Sequence, residues 1–189
     1  MLILLRHGRT LANATGLLQG RLDNELDEVG LEQAARAAAA IGPVDRVISS
    51  PLARARSTAA AFGQPVEVDG RWIEYDYGSL EGVKVADVPA DTWRRWATDA
   101  DFAPPGGESY ATLAARVVEA CDELVLAMRT ERIVVVSHVS PIKSAVAWVL
   151  GLPATAGNRY RLDVAAICRI SPGKLSPVLN TFNETWHLA

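Results

Sequence analysis

Long apolar runs, paired cysteines and an excess of positive charge are all missing from this 189-residue chain. No apolar stretch approaches the roughly 20 residues that a membrane-spanning helix needs, and the apolar start is too short for a signal peptide and lacks a basic leader. The formal net charge is -3, so no global positive field attracts nucleic acid or an acidic membrane. We therefore expect a soluble cytoplasmic protein with no nucleic-acid partner and no membrane partner.

Several signatures of known chemistry are also missing. Cys121 and Cys168 are the only cysteines and form no C-x-x-C pattern, so we expect each to be a buried reduced thiol. The chain contains no H-E-x-x-H, no G-x-S-x-G, no P-loop and no G-x-G-x-x-G motif. Three histidines are few for a metal site, and we expect chemistry without a metal ion or a cofactor.

The composition, 49% hydrophobic and 22% charged, is that of an ordinary globular protein, and the length predicts one domain over residues 1–189. Apolar runs at residues 2–5, 46–49 and 133–136 predict strands of an open parallel sheet, the last buried on both faces. Residues 65–68 are a further strand candidate. The tail, residues 163–170 and 178–182, is expected to form two edge strands.

Helix signals fill the intervals between these strands. Asp27 is placed to cap a helix that runs to Ile41, and a long helix is expected from near Ser109. Two Ser-Pro pairs, Ser50-Pro51 and Ser140-Pro141, predict helix starts, with the serine as the N-cap residue. Residues 11–24 show no periodicity and are expected to form an irregular loop around a polar ligand.

Three of the predicted strands lead into side chains that suit an anion. Arg6 and His7 follow the first strand, Arg54 lies in the first turn of the helix after the second, and His138 follows the third. Because the carboxyl ends of parallel strands meet at one edge of a sheet, we expect these four residues to converge. Two arginines and two histidines at one point suit a phosphoryl dianion, which an imidazole could attack in line.

Glu74 lies among aromatic residues and has two interpretations. It is either a surface charge or a carboxyl whose pKa is raised by apolar neighbours. In the second case it could protonate the leaving alkoxide and then activate the water that cleaves a phosphohistidine. Two nearby arginines would oppose the rise of its pKa, so the residues alone leave both interpretations open.

Several motifs, in this order, resemble the histidine phosphatase superfamily. They are Arg6-His7-Gly8 with Asn13, the run Ser50-Pro51-Leu52-Ala53-Arg54-Ala55, residues 74–78, and Ser137-His138. Residues 105–109 and 179–188 extend the resemblance to the phosphoglycerate-mutase-like branch over nearly the whole chain. The segment 137–143 is similar to that of alpha-ribazole-phosphatase-like acid phosphatases, including the phosphatase domain found fused to ribonuclease H.

The resemblance implies an α/β fold, a three-layer α/β/α sandwich with helices on both faces of a mostly parallel central sheet. It also implies that His7 is the phosphorylated nucleophile and Glu74 the proton donor, with no metal ion. The catalytic set is then His7, Glu74, His138, Arg6 and Arg54, and the substrate-binding set is Arg6, Asn13, Gln19, Gly20, Arg54, His138 and Val139. Superfamily members are often dimers, so a homodimer is possible.

Departures from the family pattern concern the substrate. Arg9 stands where glycolytic mutases carry an acidic residue, residues 139–143 replace their glycine-rich segment, and residues 83–105 lack their insertion. Arg94 and Arg95 resemble the mutase arginine pair, although their distance from Pro104 fits poorly. We therefore favour a metal-independent phosphomonoesterase acting on small phosphate esters. A cofactor-dependent phosphoglycerate mutase and a non-catalytic phospholigand-binding module are the alternatives.

Overall fold

The structure, a computed structural model, describes residues 1–189 and is organised around a six-stranded sheet. The strands are β1 (Leu2–Arg6), β2 (Arg46–Ser49), β3 (Val66–Val68), β4 (Ile133–Ser137), β5 (Ile167–Ser171) and β6 (Val178–Glu184). Their order is β3-β2-β4-β1-β5-β6. The first four strands run parallel, and β5 pairs antiparallel with both β1 and β6.

Six α-helices connect the strands. They are α1 (Leu11–Ala14), α2 (Glu28–Ile41), α3 (Ala53–Ala60), α4 (Ala90–Thr98), α5 (Tyr110–Ala127) and α6 (Val139–Leu150). Short 3-10 turns lie at Gly70–Trp72, Gly78–Leu80, Val85–Asp87, Ala154–Arg159 and Trp186–Leu188. None of the helices combines the length and apolarity needed to cross a bilayer.

The alternation of side chains along the strands explains why helices cover both faces of the sheet. In β1, Leu2 and Leu4 join one core cluster, whereas Ile3 and Leu5 join the other. The first cluster also holds the α5 stripe, and the second holds apolar residues of α2 and α3. Because both faces are covered, the central strands β1 and β4 are apolar in all but their last residue. The predicted α/β/α sandwich with a mostly parallel sheet is confirmed.

The predicted cap at Asp27 and the predicted helix start near Ser109 are both confirmed. The side chain of Asp27 accepts from the amide of Gly30 at the start of α2, and that of Ser109 accepts from the amide of Thr112 in α5. Each bond satisfies an amide that the first helical turn leaves without a partner. Both cysteines are buried free thiols, as predicted.

The two Ser-Pro predictions are wrong about where the helices begin. Helix α3 begins at Ala53 with Leu52 in the N-cap position. The hydroxyl of Ser50 lies 2.7 Å from Nε2 of His138 and accepts from the amide of Leu52 at 3.4 Å. Helix α6 begins at Val139 with His138 in the N-cap position. Pro141 then lies within the first turn, where its missing N–H breaks no intrahelical hydrogen bond.

Two further local predictions are wrong. The stretch 11–24 is not wholly irregular, because α1 forms within it and is capped by reciprocal hydrogen bonds between Thr10 and Asn13. Strand β5 is not an edge strand, since it lies between β1 and β6, and only β6 and β3 form edges. Pairing with β5 satisfies the backbone of β1 on the side that β4 does not cover.

Candidate active site

The loops after β1, β2 and β4 lie side by side and bring the predicted residues together. The rings of His7 and His138 have centroids 5.1 Å apart, and Nε of Arg54 lies 3.3 Å from Nε2 of His7. Each of these three side chains is 2% exposed or less, so they meet in a site largely shielded from solvent. Arg6, the last residue of β1, lines the cavity beside them.

The surroundings of His7 select one tautomer of its ring. Nδ1 lies 2.7 Å from the carbonyl oxygen of Gly8, which can only accept, so Nδ1 carries the proton and Nε2 keeps its lone pair. Burial, together with the charges of Arg54 and Arg6, lowers the pKa of His7 well below its usual value. The ring is therefore neutral at pH 7, which is the form that can act as a nucleophile.

Arg54 is held in place by the loop that follows α1. Its guanidinium donates to the carbonyls of Gly20 and Leu22, each at 2.7 Å, and through Nε to His7. Gly20 has a φ of +52°, a left-handed conformation that glycine adopts at little cost. Burial lowers the pKa of Arg54, but a guanidinium remains charged at neutral pH.

Arg6 and His138 both keep a polar atom without a partner. Arg6 donates to the carbonyl of Leu162 at 2.7 Å, whereas its buried Nε has no hydrogen-bond partner. Burial lowers the pKa of Arg6 to about 10, so this group also stays charged. His138 contacts Ser50 through Nε2, while its Nδ1 is buried and unpartnered. Burial is the main cause that lowers the pKa of His138 as well, and the charges of Arg54, His7 and Arg6 lower it further.

Glu74 is not a surface charge, because its side chain is buried within the site. Its Oε1 accepts from the backbone amides of Tyr75 at 2.7 Å and Ser140 at 3.1 Å. The second of these amides belongs to the first turn of α6, where free N–H groups favour a negative charge. Because only Oε1 is engaged, Oε2 is left available to a ligand in the cavity that Glu74 lines.

The candidate phosphate cavity has a volume of about 220 Å³. Of the predicted substrate-binding residues, Asn13, Gln19, Gly20 and Val139 all line it together with Arg6 and Arg54, whereas His138 lies behind the wall. Oε1 of Gln19 accepts from the Thr10 hydroxyl at 2.9 Å, which leaves its amide nitrogen free to donate. A larger cavity, about 640 Å³, is lined by three alanines of α2 and by residues 42–44 and 61–64, and has no charged side chain in its wall.

Sequence reasoning missed the residues that hold Glu74 in place. Arg116 of α5 donates to the carbonyl of Ile73 at 2.8 Å and to that of Glu74 at 3.3 Å. Its guanidinium also pairs at 2.7 Å with Glu108, which in turn pairs with Arg21. Glu108 lies in the 105–109 motif, so that motif was the one signal in the sequence that pointed to this group of residues. Arg116 lies on a helix where spacing alone indicates a solvated charge.

Comparison with known proteins identifies the family. The family model described as "Histidine phosphatase superfamily (branch 1)" matches residues 2–185 of the chain. The chain belongs to this superfamily. The structure of a phosphoserine phosphatase mutant from Entamoeba histolytica in complex with phosphoserine superposes with a TM-score of 0.90 at 31% identity, covering 100% of this chain and 98% of that one.

Sequence relatives within the superfamily carry different names. A bifunctional protein of Mycobacterium tuberculosis is 37% identical over 178 residues, which are 88% of this chain and 48% of that protein. The chain therefore spans about half the length of that relative. A glucosyl-3-phosphoglycerate phosphatase of Mycolicibacterium vanbaalenii is 38% identical over 80% of this chain and 75% of its own. A probable phosphoglycerate mutase of Erwinia tasmaniensis is 35% identical over 98% of this chain and 93% of its own.

Proposed function

We propose that this chain is a metal-independent phosphomonoesterase of small phosphate esters, with residues 1–189 acting as one catalytic domain. The observation that carries the proposal is the state of His7. Its Nδ1 is committed to the carbonyl of Gly8, and its Nε2 lone pair lies beside Arg54 in a buried site. A neutral imidazole held next to two guanidinium groups suits attack on a phosphoryl group that those groups bind.

In the first step Nε2 of His7 attacks phosphorus, the P–O ester bond breaks, and Oε2 of Glu74 gives its proton to the leaving alkoxide. In the second step Glu74 takes a proton from water, whose oxygen attacks phosphorus, and the P–N bond breaks to release phosphate. Arg6 and Arg54, which line the cavity, hold the phosphoryl oxygens, each charged hydrogen bond contributing about 1.5–3 kcal/mol. His138 lies behind them, with its ring against that of His7. Asn13 and Gln19 add amide donors at the mouth of the cavity.

Hydrolysis is favoured over the mutase alternative by the positions of three arginines. Arg9 pairs with Asp27 at 2.8 Å, Arg94 pairs with Asp91 at 2.6 Å, and the guanidinium of Arg95 stacks on Phe102. None of the three lines the phosphate cavity, so none is placed to hold the second anionic group of a bisphosphoglycerate. The names of the phosphatase relatives also support hydrolysis. A non-catalytic module would leave the neutral His7 without a use.

The test is phosphate release from a panel of monoesters in excess chelator, with the His7→Ala variant in parallel. We expect release that survives the chelator, a transient phosphoenzyme on rapid quenching, and loss of both in His7→Ala by about 10⁴-fold or more, the scale seen when a nucleophile is removed. A phosphoenzyme that persists in His7→Ala would place the nucleophile elsewhere. Release that stops in chelator would contradict metal independence. A cytoplasmic location and a homodimer stay predictions.

A further inference from the structure

A second cavity of about 180 Å³ adjoins the phosphate cavity. It lies between α4, α5, α6 and the turn Ala154–Arg159, and Tyr77 and Val139 line both cavities. Tyr77 therefore forms part of the wall between them. An ester whose phosphoryl group lies beside His7 would extend its alcohol part past this wall. The remaining walls of the second cavity combine the aromatic rings of Trp93 and Tyr110 with Leu113 and with small and polar residues.

Lys143 supplies the only charged group of the second cavity. It lies four residues after Val139 on the same face of α6, which places it about 6 Å further along the helix axis. Its ammonium group forms no ion pair with a carboxylate of the chain. Burial and the charge of Arg6 lower the pKa of Lys143, while Glu74 raises it, so Lys143 lies within electrostatic reach of the catalytic groups.

The packing around Lys143 holds its side chain in the cavity wall. The Tyr160 hydroxyl donates to the Lys143 carbonyl at 2.6 Å, and the Tyr160 ring lies 5.7 Å from the ammonium group. Gly157 lies against the side chain, since a methyl group there would come within 3.2 Å of Cβ of Lys143. The Tyr110 hydroxyl donates to Oδ1 of Asn158 at 3.2 Å, which fixes the opposite wall. A partly buried cation without a counter-ion is stabilised by an anion that the ligand brings.

We propose that the second cavity receives the alcohol part of the ester and that Lys143 binds a carboxylate on it. The substrate class is then the phosphorylated hydroxy acids of a few carbons. This inference rests on the proposed phosphatase function and narrows its substrate. A carboxylate matches the single charge of one ammonium group, whereas a second phosphate would bring about two charges to a site with one cation.

The test compares two ligands that differ at one group. 3-Phosphoglycerate and glycerol 3-phosphate share a skeleton, and the carboxylate of the first is a CH₂OH in the second. Their binding is measured by calorimetry in a His7→Ala background, which prevents turnover. We expect 3-phosphoglycerate to bind about tenfold more tightly, the fold-change that a charged hydrogen bond of about 1.5 kcal/mol gives. Lys143→Met should remove this preference and weaken glycerol 3-phosphate less than about twofold.

Lys174→Met is the matched control, because Lys174 is an exposed lysine outside both cavities. It should leave the preference intact, and Lys143→Arg should restore most of it. Equal weakening of both ligands by Lys143→Met, an unchanged preference, or no binding of 3-phosphoglycerate would each overturn the inference. Hydrolysis of both esters by the unmodified chain separates the two claims. If both are hydrolysed but Lys143→Met slows them equally, the phosphatase function stands and the carboxylate site is wrong.

Discussion

The two adjoining cavities are built by different parts of the chain. The phosphate cavity takes its main groups from the ends of β1, β2 and β4, strands whose central residues are wholly or almost wholly buried. The second cavity is closed by α4 and the turn Ala154–Arg159, where Trp93 is 38% exposed and Asn158 lies at the surface. In the function that we propose, groups at the end of a sheet buried on both faces react with the phosphoryl group, and the segments that cover the edge of the sheet contact the alcohol part of the ester.

Arg54→Lys should have the largest effect among the variants that test this division of roles between the two cavities. The variant keeps a positive charge but loses the fork that contacts Gly20, Leu22 and His7, so we expect kcat/KM to fall by about 10²–10³-fold. Because every substrate presents the same phosphoryl group, the loss should be the same for 3-phosphoglycerate, glycerol 3-phosphate and p-nitrophenyl phosphate.

Arg56→Lys is the matched control for that measurement, since Arg56 is an exposed arginine on the same helix. It should change kcat/KM less than about twofold, in line with most surface substitutions. A loss in Arg54→Lys that varied strongly among the three esters would break the division, because it would show that the phosphate cavity also selects the alcohol part.

Glu74→Gln should have an intermediate effect that depends on the leaving group. The amide keeps the shape of the side chain but has no acidic proton to give the alkoxide, so we expect a loss of about 10²-fold on alkyl phosphates. The nitrophenolate of p-nitrophenyl phosphate leaves without a proton, and its loss in the phosphoryl-transfer step should be much smaller. Single-turnover rates on both esters measure this step. Equal losses on the two would remove Glu74 from the role of proton donor.

Residues whose environment is set locally were predictable from the sequence. The apolar run of β4 signals burial on both faces, and a residue just after such a strand lies at the reactive edge whatever the neighbouring loop does. Arg54 lies five residues after the end of β2, and it still lies in the first turn of α3 although that helix begins two residues later than Pro51. His7 and His138 are the residues that come directly after such a strand.

Residues whose role depends on distant partners were not predictable in the same way. The carboxylate of Glu74 accepts a hydrogen bond from the amide of Ser140 in α6, which lies far along the chain. Arg116 and Lys143 lie on helices where their spacing indicates solvated charges, and only the folded chain shows what they face. Residues 83–105 lack a clear period because α4 buries a single residue, Trp96, against the main core.

The smallest predicted effect is a pH dependence of stability to which His7, in the phosphate cavity, and the adjacent His138 contribute, whereas no histidine lines the second cavity. Burial lowers the pKa of both His7 and His138 in the folded state, whereas unfolded histidines titrate near pH 6.5. Below that pH the unfolded chain binds more protons than the folded one. As the pH is lowered below about 6.5, the free energy of unfolding should therefore fall by up to about 1.4 kcal/mol per pH unit for each histidine. Above pH 7 these histidines should not change it.

Urea unfolding between pH 7.5 and 5.5 measures this slope, in a range where carboxylates of ordinary pKa stay ionised. His7→Gln should lower the slope by about one histidine's share, while His138 and the less buried His187, whose pKa is also lowered, retain theirs. An unchanged slope in His7→Gln would mean that His7 gains a proton in the folded state as readily as in the unfolded one. Such a ring would be charged in mildly acidic solution and could not attack phosphorus there, so the same measurement also bears on the nucleophile.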